Sequence, residues 1–172
     1  MKQLLAAMFV ALVFSGCGGE VESMIKEAEE KGGTYLNLGG VQISDLSPLS
    51  GLTNLEYLLL GRNRISDLSP LKGLTNLKEL RLIDNKISDI TPLKRLTNLE
   101  WLDLSGNPIT DLSPLKGLTN LKRLFLSNNP ISDLSPLAGL TNLELLYFYD
   151  NPIPDDQKAM LKKALPNCDI SF

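Results

Sequence analysis

From Ile43 to Asn151 the chain repeats itself every 22 residues, and that period constrains what it can become more than any other feature. Five copies open with ISDLSPLSGLTNL at Ile43, ISDLSPLKGLTNL at Ile65, ISDITPLKRLTNL at Ile87, ITDLSPLKGLTNL at Ile109 and ISDLSPLAGLTNL at Ile131. Each carries the pattern L-x-x-L-x-L-x-x-N-x-L, which in the second copy is Leu77, Leu80, Leu82 and Asn85, with Ile87 opening the next. A degenerate half-copy precedes them: Leu36, Leu38 and Ile43 fit, but Val41 stands where the asparagine belongs. A unit this short cannot bury enough apolar surface to offset the entropy of ordering its own backbone, so the copies must stack into one cooperative array.

The spacing within a copy assigns each residue a task. Leu80 and Leu82 are two apart, so on a short strand both point inward. Asn85 then turns the chain, and its amide can bond backbone groups of its own and the adjacent coil. Asn63, Asn85, Asn107, Asn129 and Asn151 should therefore stack as a ladder. Ser69 before Pro70 reads as a helix start with a hydroxyl N-cap, and Leu71 and Leu74 suit a single 3-10 or α turn against the core. Asp45, Asp67, Asp89, Asp111 and Asp133 recur just upstream and are read as turn carboxylates accepting N–H groups rather than as a calcium site. The charges of Glu56, Lys78, Glu100, Lys122 and Glu144 alternate, so parallel stacking should make them opposite-charge neighbours.

The ends depart from the repeat as covers must. Val21, Met24, Ile25 and Ala28 follow helical spacing, with Glu22/Lys26 and Glu27/Lys31 outside and Gly32-Gly33 as the stop. At the other end IPDDQKAMLKKALPNCDISF predicts a longer amphipathic helix and a last short strand. Four segments follow: a signal peptide over 1–16, an N-terminus and capping helix over 17–32, repeats over 33–152 and a C-terminal cap over 153–172.

The segment over 1–16 is read from Lys2, the apolar run Leu4 to Phe14 and the small residues after it, a run too short to span a bilayer. Ser15-Gly16 before Cys17 resembles the lipobox of bacterial lipoproteins, although Phe14 stands where leucine is usual. That resemblance implies cleavage before Cys17 and lipidation of Cys17, an anchor in the bacterial envelope, and outer-membrane sorting if the cell has two membranes. Cys168 then has no partner and is expected as a small buried residue.

The repeats resemble the 22-residue leucine-rich repeats of bacterial internalins and the related SDS22-like repeats of phosphatase regulators, over about residues 33 to 152. The resemblance implies an α/β fold, a right-handed solenoid or horseshoe whose parallel β-sheet lines the concave side. Short 3-10 or α turns are expected on the convex side and helical caps at both ends. It also implies binding of proteins on the concave face. Internalins add an immunoglobulin-like domain and a surface-attachment region, for which Cys17 would substitute here, so their invasion role is not expected to carry over.

Between the inward leucines, side chains point out of the sheet in three rows. The first is Tyr35, Tyr57, Glu79, Trp101, Arg123 and Leu145; the second Asn37, Leu59, Arg81, Asp103, Phe125 and Tyr147; the third Gly39, Gly61, Ile83, Ser105, Ser127 and Tyr149. All four tyrosines and the only tryptophan fall in these rows, while the core letters hardly change from copy to copy. Tyr, Trp and Arg are the residues of interface hot spots. The candidate partner-binding set is therefore Tyr35, Tyr57, Glu79, Arg81, Trp101, Asp103, Arg123, Phe125, Leu145, Tyr147 and Tyr149, with Arg123 expected on Trp101 and Arg81 expected to pair with Asp103. The competing reading is that aromatics stacked across strands merely support the sheet.

Composition narrows the function classes. A formal charge of −3 and a pI of about 5.0 argue against nucleic acid, which needs a basic surface. No histidine occurs, and phosphate-binding glycine motifs, zinc spacings and catalytic triads are missing, so no cofactor, metal or catalytic residue is expected. Glu79 and Asp103 could serve a glycosidase only with a cleft that coils of equal length do not form. The expectation is a surface-anchored module binding a protein on its concave face, with carbohydrate less favoured and self-association open. The alternative is an envelope-assembly scaffold without a discrete ligand.

Overall fold

The computed structural model describes residues 18–172; the expected signal peptide over 1–16 and the expected lipid site Cys17 lie outside the described residues. The described residues open with α1 (Gly18–Glu30) and then lay down β1 (Tyr35–Asn37), β2 (Tyr57–Leu59), β3 (Glu79–Arg81), β4 (Trp101–Asp103), β5 (Arg123–Phe125) and β6 (Leu145–Tyr147). Between consecutive strands run 3-10 turns at Ser47–Leu49, Ser69–Gly73, Thr91–Arg95, Ser113–Leu115 and Ser135–Leu137. Then α2 (Asp155–Ala164) leads into β7 (Asp169–Ser171). Among the described residues the strands form one open parallel sheet in sequence order, β1 to β7. The register pairs equivalent residues of successive copies, Leu36 with Leu58, Leu58 with Leu80 and so on to Leu146 with Ile170. The architecture is the expected solenoid, with the sheet on the concave side and the 3-10 turns on the convex side.

Inward leucines fill the space between the two walls. Leu58, Leu80, Leu102, Leu124 and Leu146 are fully buried, as are Leu71, Leu93, Leu115 and Leu137 from the 3-10 turns. Phe148 takes an inward leucine position and stacks on Phe172, with centroids 5.8 Å apart and planes within 10°. Val21, Met24 and Ile25 pack against the first coil and Ala28 is buried there. Helix α1 ends as expected at the glycines. Gly32 adopts a left-handed φ of 59°, its N–H reaches Glu29 O, and Gly33 N–H reaches Ala28 O at 2.8 Å. Lys31 pairs with Glu27, but Lys26 lies 3.8 Å from Glu30 instead of bonding Glu22.

The asparagines connect each coil to the one before it. Asn85 Oδ1 accepts the N–H of Ile65 at 3.0 Å, while Nδ2 donates to Leu60 O of the preceding coil (3.0 Å) and to Leu82 O of its own (2.9 Å). Asn63, Asn107, Asn129 and Asn151 repeat this pattern. Two of the three groups served belong to the preceding coil, which the first coil lacks, and Leu38 O of the first coil is served by Asn63 Nδ2, so Val41 can stand where asparagine otherwise recurs.

The turn starts differ from the expected hydroxyl cap. The N-cap position of Ser69–Gly73 is Leu68, and no side chain caps it. The cap's work falls to the aspartate ladder: Asp67 Oδ1 accepts Ser69 N–H at 2.8 Å, and Asp45, Asp89, Asp111 and Asp133 do likewise two residues downstream. A carboxylate two residues upstream reaches the first free N–H, whereas the Ser69 hydroxyl already lies inside the turn. The alternating charges are opposite-charge neighbours as expected, and the direct contacts fall on alternate pairs: Lys78 closes on Glu56 at 2.8 Å and Lys122 on Glu100 at 2.7 Å, each on the preceding coil.

Replacing Asn107 with Ala removes the partners of Ile87 N–H, Leu82 O and Leu104 O, all deeply placed. Asn107→Ala is expected to cost about 3–5 kcal/mol, read as a lower urea midpoint of a single transition. Hydrogen bonds from the hydroxyl and then the N–H of the downstream Ser or Thr hold Asp45, Asp67 and Asp89 below the ordinary carboxylate range, and at Asp133 the N–H leads. A lowered folded-state pKa stabilises above the ordinary Asp range, and that contribution disappears as pH falls through the lowered values. The thermal midpoint should therefore drop between about pH 5 and about pH 2, and the four Asp→Asn changes together should flatten that slope.

Candidate functional site

The three outward rows follow directly from the strand register. Tyr35, Tyr57, Glu79, Trp101, Arg123 and Leu145 are consecutive pairing partners, as are Asn37, Leu59, Arg81, Asp103, Phe125 and Tyr147. The C-terminal strand β7 extends them with Asp169 beside Leu145 and Ser171 beside Tyr147. These two additions lie outside the repeat pattern, so the spacing that exposed the other rows could not place them.

The face differs along its length. At the β1–β2 end the rows carry Gly39 and Gly61, which keep it low; a Cβ on Gly61 would fall 2.7 Å from Ile83 Cγ2. Tyr57 is exposed there. From β4 onward the rings touch one another: Trp101 to Phe125 at 5.7 Å, Phe125 to Tyr147 at 5.3 Å edge-on, and Tyr147 to Tyr149 at 5.7 Å. The run climbs diagonally from the first row to the third, from half-buried Trp101 to Tyr149, which is 48% exposed.

Charge concentrates where this run begins. Arg123 lies 4.8 Å over the Trp101 ring as expected, and Arg81 lies 4.6 Å from the same ring. Arg81 does not pair with Asp103. Its Nε donates to Glu79 Oε1 at 2.6 Å, two residues along the same strand and on the same face, while Asp103 Oδ1 accepts Ser105 N–H at 3.0 Å. The indole Nε1 of Trp101 is buried and finds no acceptor among the described residues.

Cys168 stands apart from this face. It is a free, partly buried thiol, pushed up to about 11 chiefly by burial and then by the charge of Asp169, which makes it a poor nucleophile. No described helix is long and apolar enough to cross a membrane. A second asparagine ladder, Asn76, Asn98, Asn120 and Asn142, donates to Thr53, Thr75, Thr97 and Thr119 carbonyls one coil back at 2.8–2.9 Å. Its signal was the recurring Thr-Asn pair of every copy.

The family described as Leucine Rich repeats (2 copies) matches residues 34–73, 53–95, 97–139 and 119–163. No curated protein matches the chain. Among solved structures the chain is similar to an internalin (inlF) of Listeria monocytogenes at 34% identity and TM-score 0.81, over 86% of this chain and 43% of that one. It is similar to internalin C2 of the same organism at 36% identity and TM-score 0.69, over 81% and 70%. A leucine-rich-repeat protein of Leptospira interrogans is 34% identical with TM-score 0.78, over 86% and 39%. The chain thus spans less than half of the first and third of these structures.

The exposures separate residues that support the sheet from residues that do not. Tyr149→Ser is expected to leave stability within about 0.5 kcal/mol, whereas Trp101→Ala, which removes a half-buried ring under two guanidinia, should cost about 1–3 kcal/mol in the same denaturant titration.

Proposed function

The chain belongs to the leucine-rich-repeat family, and on that premise we propose that it is an exported module, held on the bacterial envelope by lipid at Cys17, that binds a protein through the outward face of its sheet. Residues 1–16 act as the signal peptide, 17–32 as the lipidated N-terminus and capping helix, 33–152 as the recognition array and 153–172 as its cover. The protein acts by binding rather than catalysis.

One observation carries this reading: the run Trp101–Phe125–Tyr147–Tyr149 on a face whose side chains the core leaves free to vary. A solenoid needs no aromatic residues there, and contiguous apolar surface on a soluble face marks an interaction site. Rings already in mutual contact lose little freedom on binding, which favours affinity. Likeness to internalins supports the same mode of use. The ring-to-ring contacts also favour a second reading, an envelope scaffold whose aromatics serve the sheet alone.

Immobilised protein and its Trp101→Ala/Phe125→Ala/Tyr147→Ala variant, exposed to envelope and host-surface extracts, should differ, the first retaining a protein that the second loses while both keep the same circular dichroism. Tyr149→Ser should weaken that capture without touching the fold. Equal retention by all three would favour the scaffold.

A further inference from the structure

We propose that Arg81, Trp101 and Arg123 seat a carboxylate of the protein partner, an aspartate or glutamate flanked by an apolar side chain that packs on Phe125 and Tyr147. This deepens the reading of the sheet face as a protein-binding surface and rests on it.

The groups assembled here are hydrogen-bond donors in need of acceptors. Both guanidinia lie against one indole, at 4.6 and 4.8 Å from its centroid. Arg81 has one carboxylate, Glu79, held through Nε, which leaves its Nη groups for another acceptor. Arg123 is exposed and forms no ion pair among the described residues; its contact is the Trp101 ring. Phe125 stacks on the indole at 5.7 Å, and Glu79 is the register partner of Trp101 on the preceding strand. The indole Nε1 is enclosed and unmatched, so the donors open to a partner are the guanidinium N–H groups. Glu79 answers one of the two positive charges on the ring, and a carboxylate bridging the Arg81 Nη groups and Arg123 answers the other. Planar guanidinium groups favour carboxylates in two-point geometry.

The carboxylates of the face are engaged elsewhere: Glu79 holds Arg81 Nε, and Asp103, in register between Arg81 and Phe125, turns Oδ1 to Ser105 N–H and forms no ion pair among the described residues. The wall beside the charged pair is aromatic, Phe125 at 5.3 Å from Tyr147, which matches an apolar residue next to the acid and gives a free small anion nothing to pack on. A partner of this chemistry would meet charge first and apolar surface beside it, an arrangement that confers orientation as well as affinity.

Trp101 is the only tryptophan, so its indole N–H is a single signal in a nitrogen-15 correlation spectrum. Titrating the protein with blocked pentapeptides centred on Leu-Asp-Phe or Leu-Asn-Phe should shift that signal, with the Asp peptide binding about tenfold more tightly. Arg123→Gln should abolish the preference, and Asp103→Asn, which removes a carboxylate from the adjacent row, should increase it. Equal binding of the two peptides overturns the carboxylate seat while leaving the sheet a binding face. No shift from either peptide also overturns the seat, and leaves the sheet face to be decided by the capture comparison. A shift produced by a sulfated oligosaccharide and not by the Asp peptide overturns the assignment to a protein.

Discussion

A buried asparagine amide between neighbouring coils is the constraint on which the rest of this structure depends. A turn that doubles the chain back every 22 residues leaves N–H and C=O groups pointing away from any strand or helix. Water cannot reach them beneath the sheet rim, so each would cost its full desolvation. One amide settles three of them at once, with Oδ1 toward an isoleucine N–H and Nδ2 toward two leucine carbonyls. No other side chain of that size offers both an acceptor and two donors in one plane. The invariance of the position, the equal coil lengths and the straight register of the strands all follow.

Because cohesion is handled by leucines inside and asparagines at the turns, the outward rows are relieved of it. Their composition can change from coil to coil without disturbing the array, and it does: glycines and tyrosines at one end, charges around Trp101, then contiguous rings toward Tyr149. The turn after each strand shows the same tolerance at a cost. Gly40, Arg62, Asp84, Gly106, Asn128 and Asp150 occupy equivalent left-handed positions, and glycine is present in just two of them. A lattice of leucines and amides that over-determines the backbone can hold Arg62 and Asp84 in a conformation they would not choose alone.

Much of this was legible in the letters. The period, the inward leucines, the asparagine ladder, the two caps and the membership of the outward rows rest on spacing, and spacing is what sequence states directly. What escaped was the choice among competing partners of similar reach. Arg81 had Asp103 on the neighbouring strand and Glu79 two residues away on its own, and the intrastrand carboxylate prevailed. Ser69 and Asp67 both could have served the turn, and the carboxylate did so. Lys78 stood between Glu56 and Glu100 and closed on the former. The joining of β7 to the sheet was likewise hidden, since DIS carries no trace of the repeat and its place is set by how α2 turns the chain back.

The amides also give the array a polarity in time and in descent. Each asparagine completes the coil behind it and asks nothing of the coil ahead. A coil is thus finished only when its successor arrives, and the last one needs a different ending. That ending is present: Ile153 N–H, whose counterparts wait for the next asparagine, turns back to Asn151 O at 2.9 Å, and Gln157 of α2 reaches Leu134 N–H at 3.0 Å. A gene duplication inserting one whole coil upstream of this terminus would find every bond already specified, with no new cap to invent. The recognition face could therefore lengthen in whole coils while the same short segment closes it.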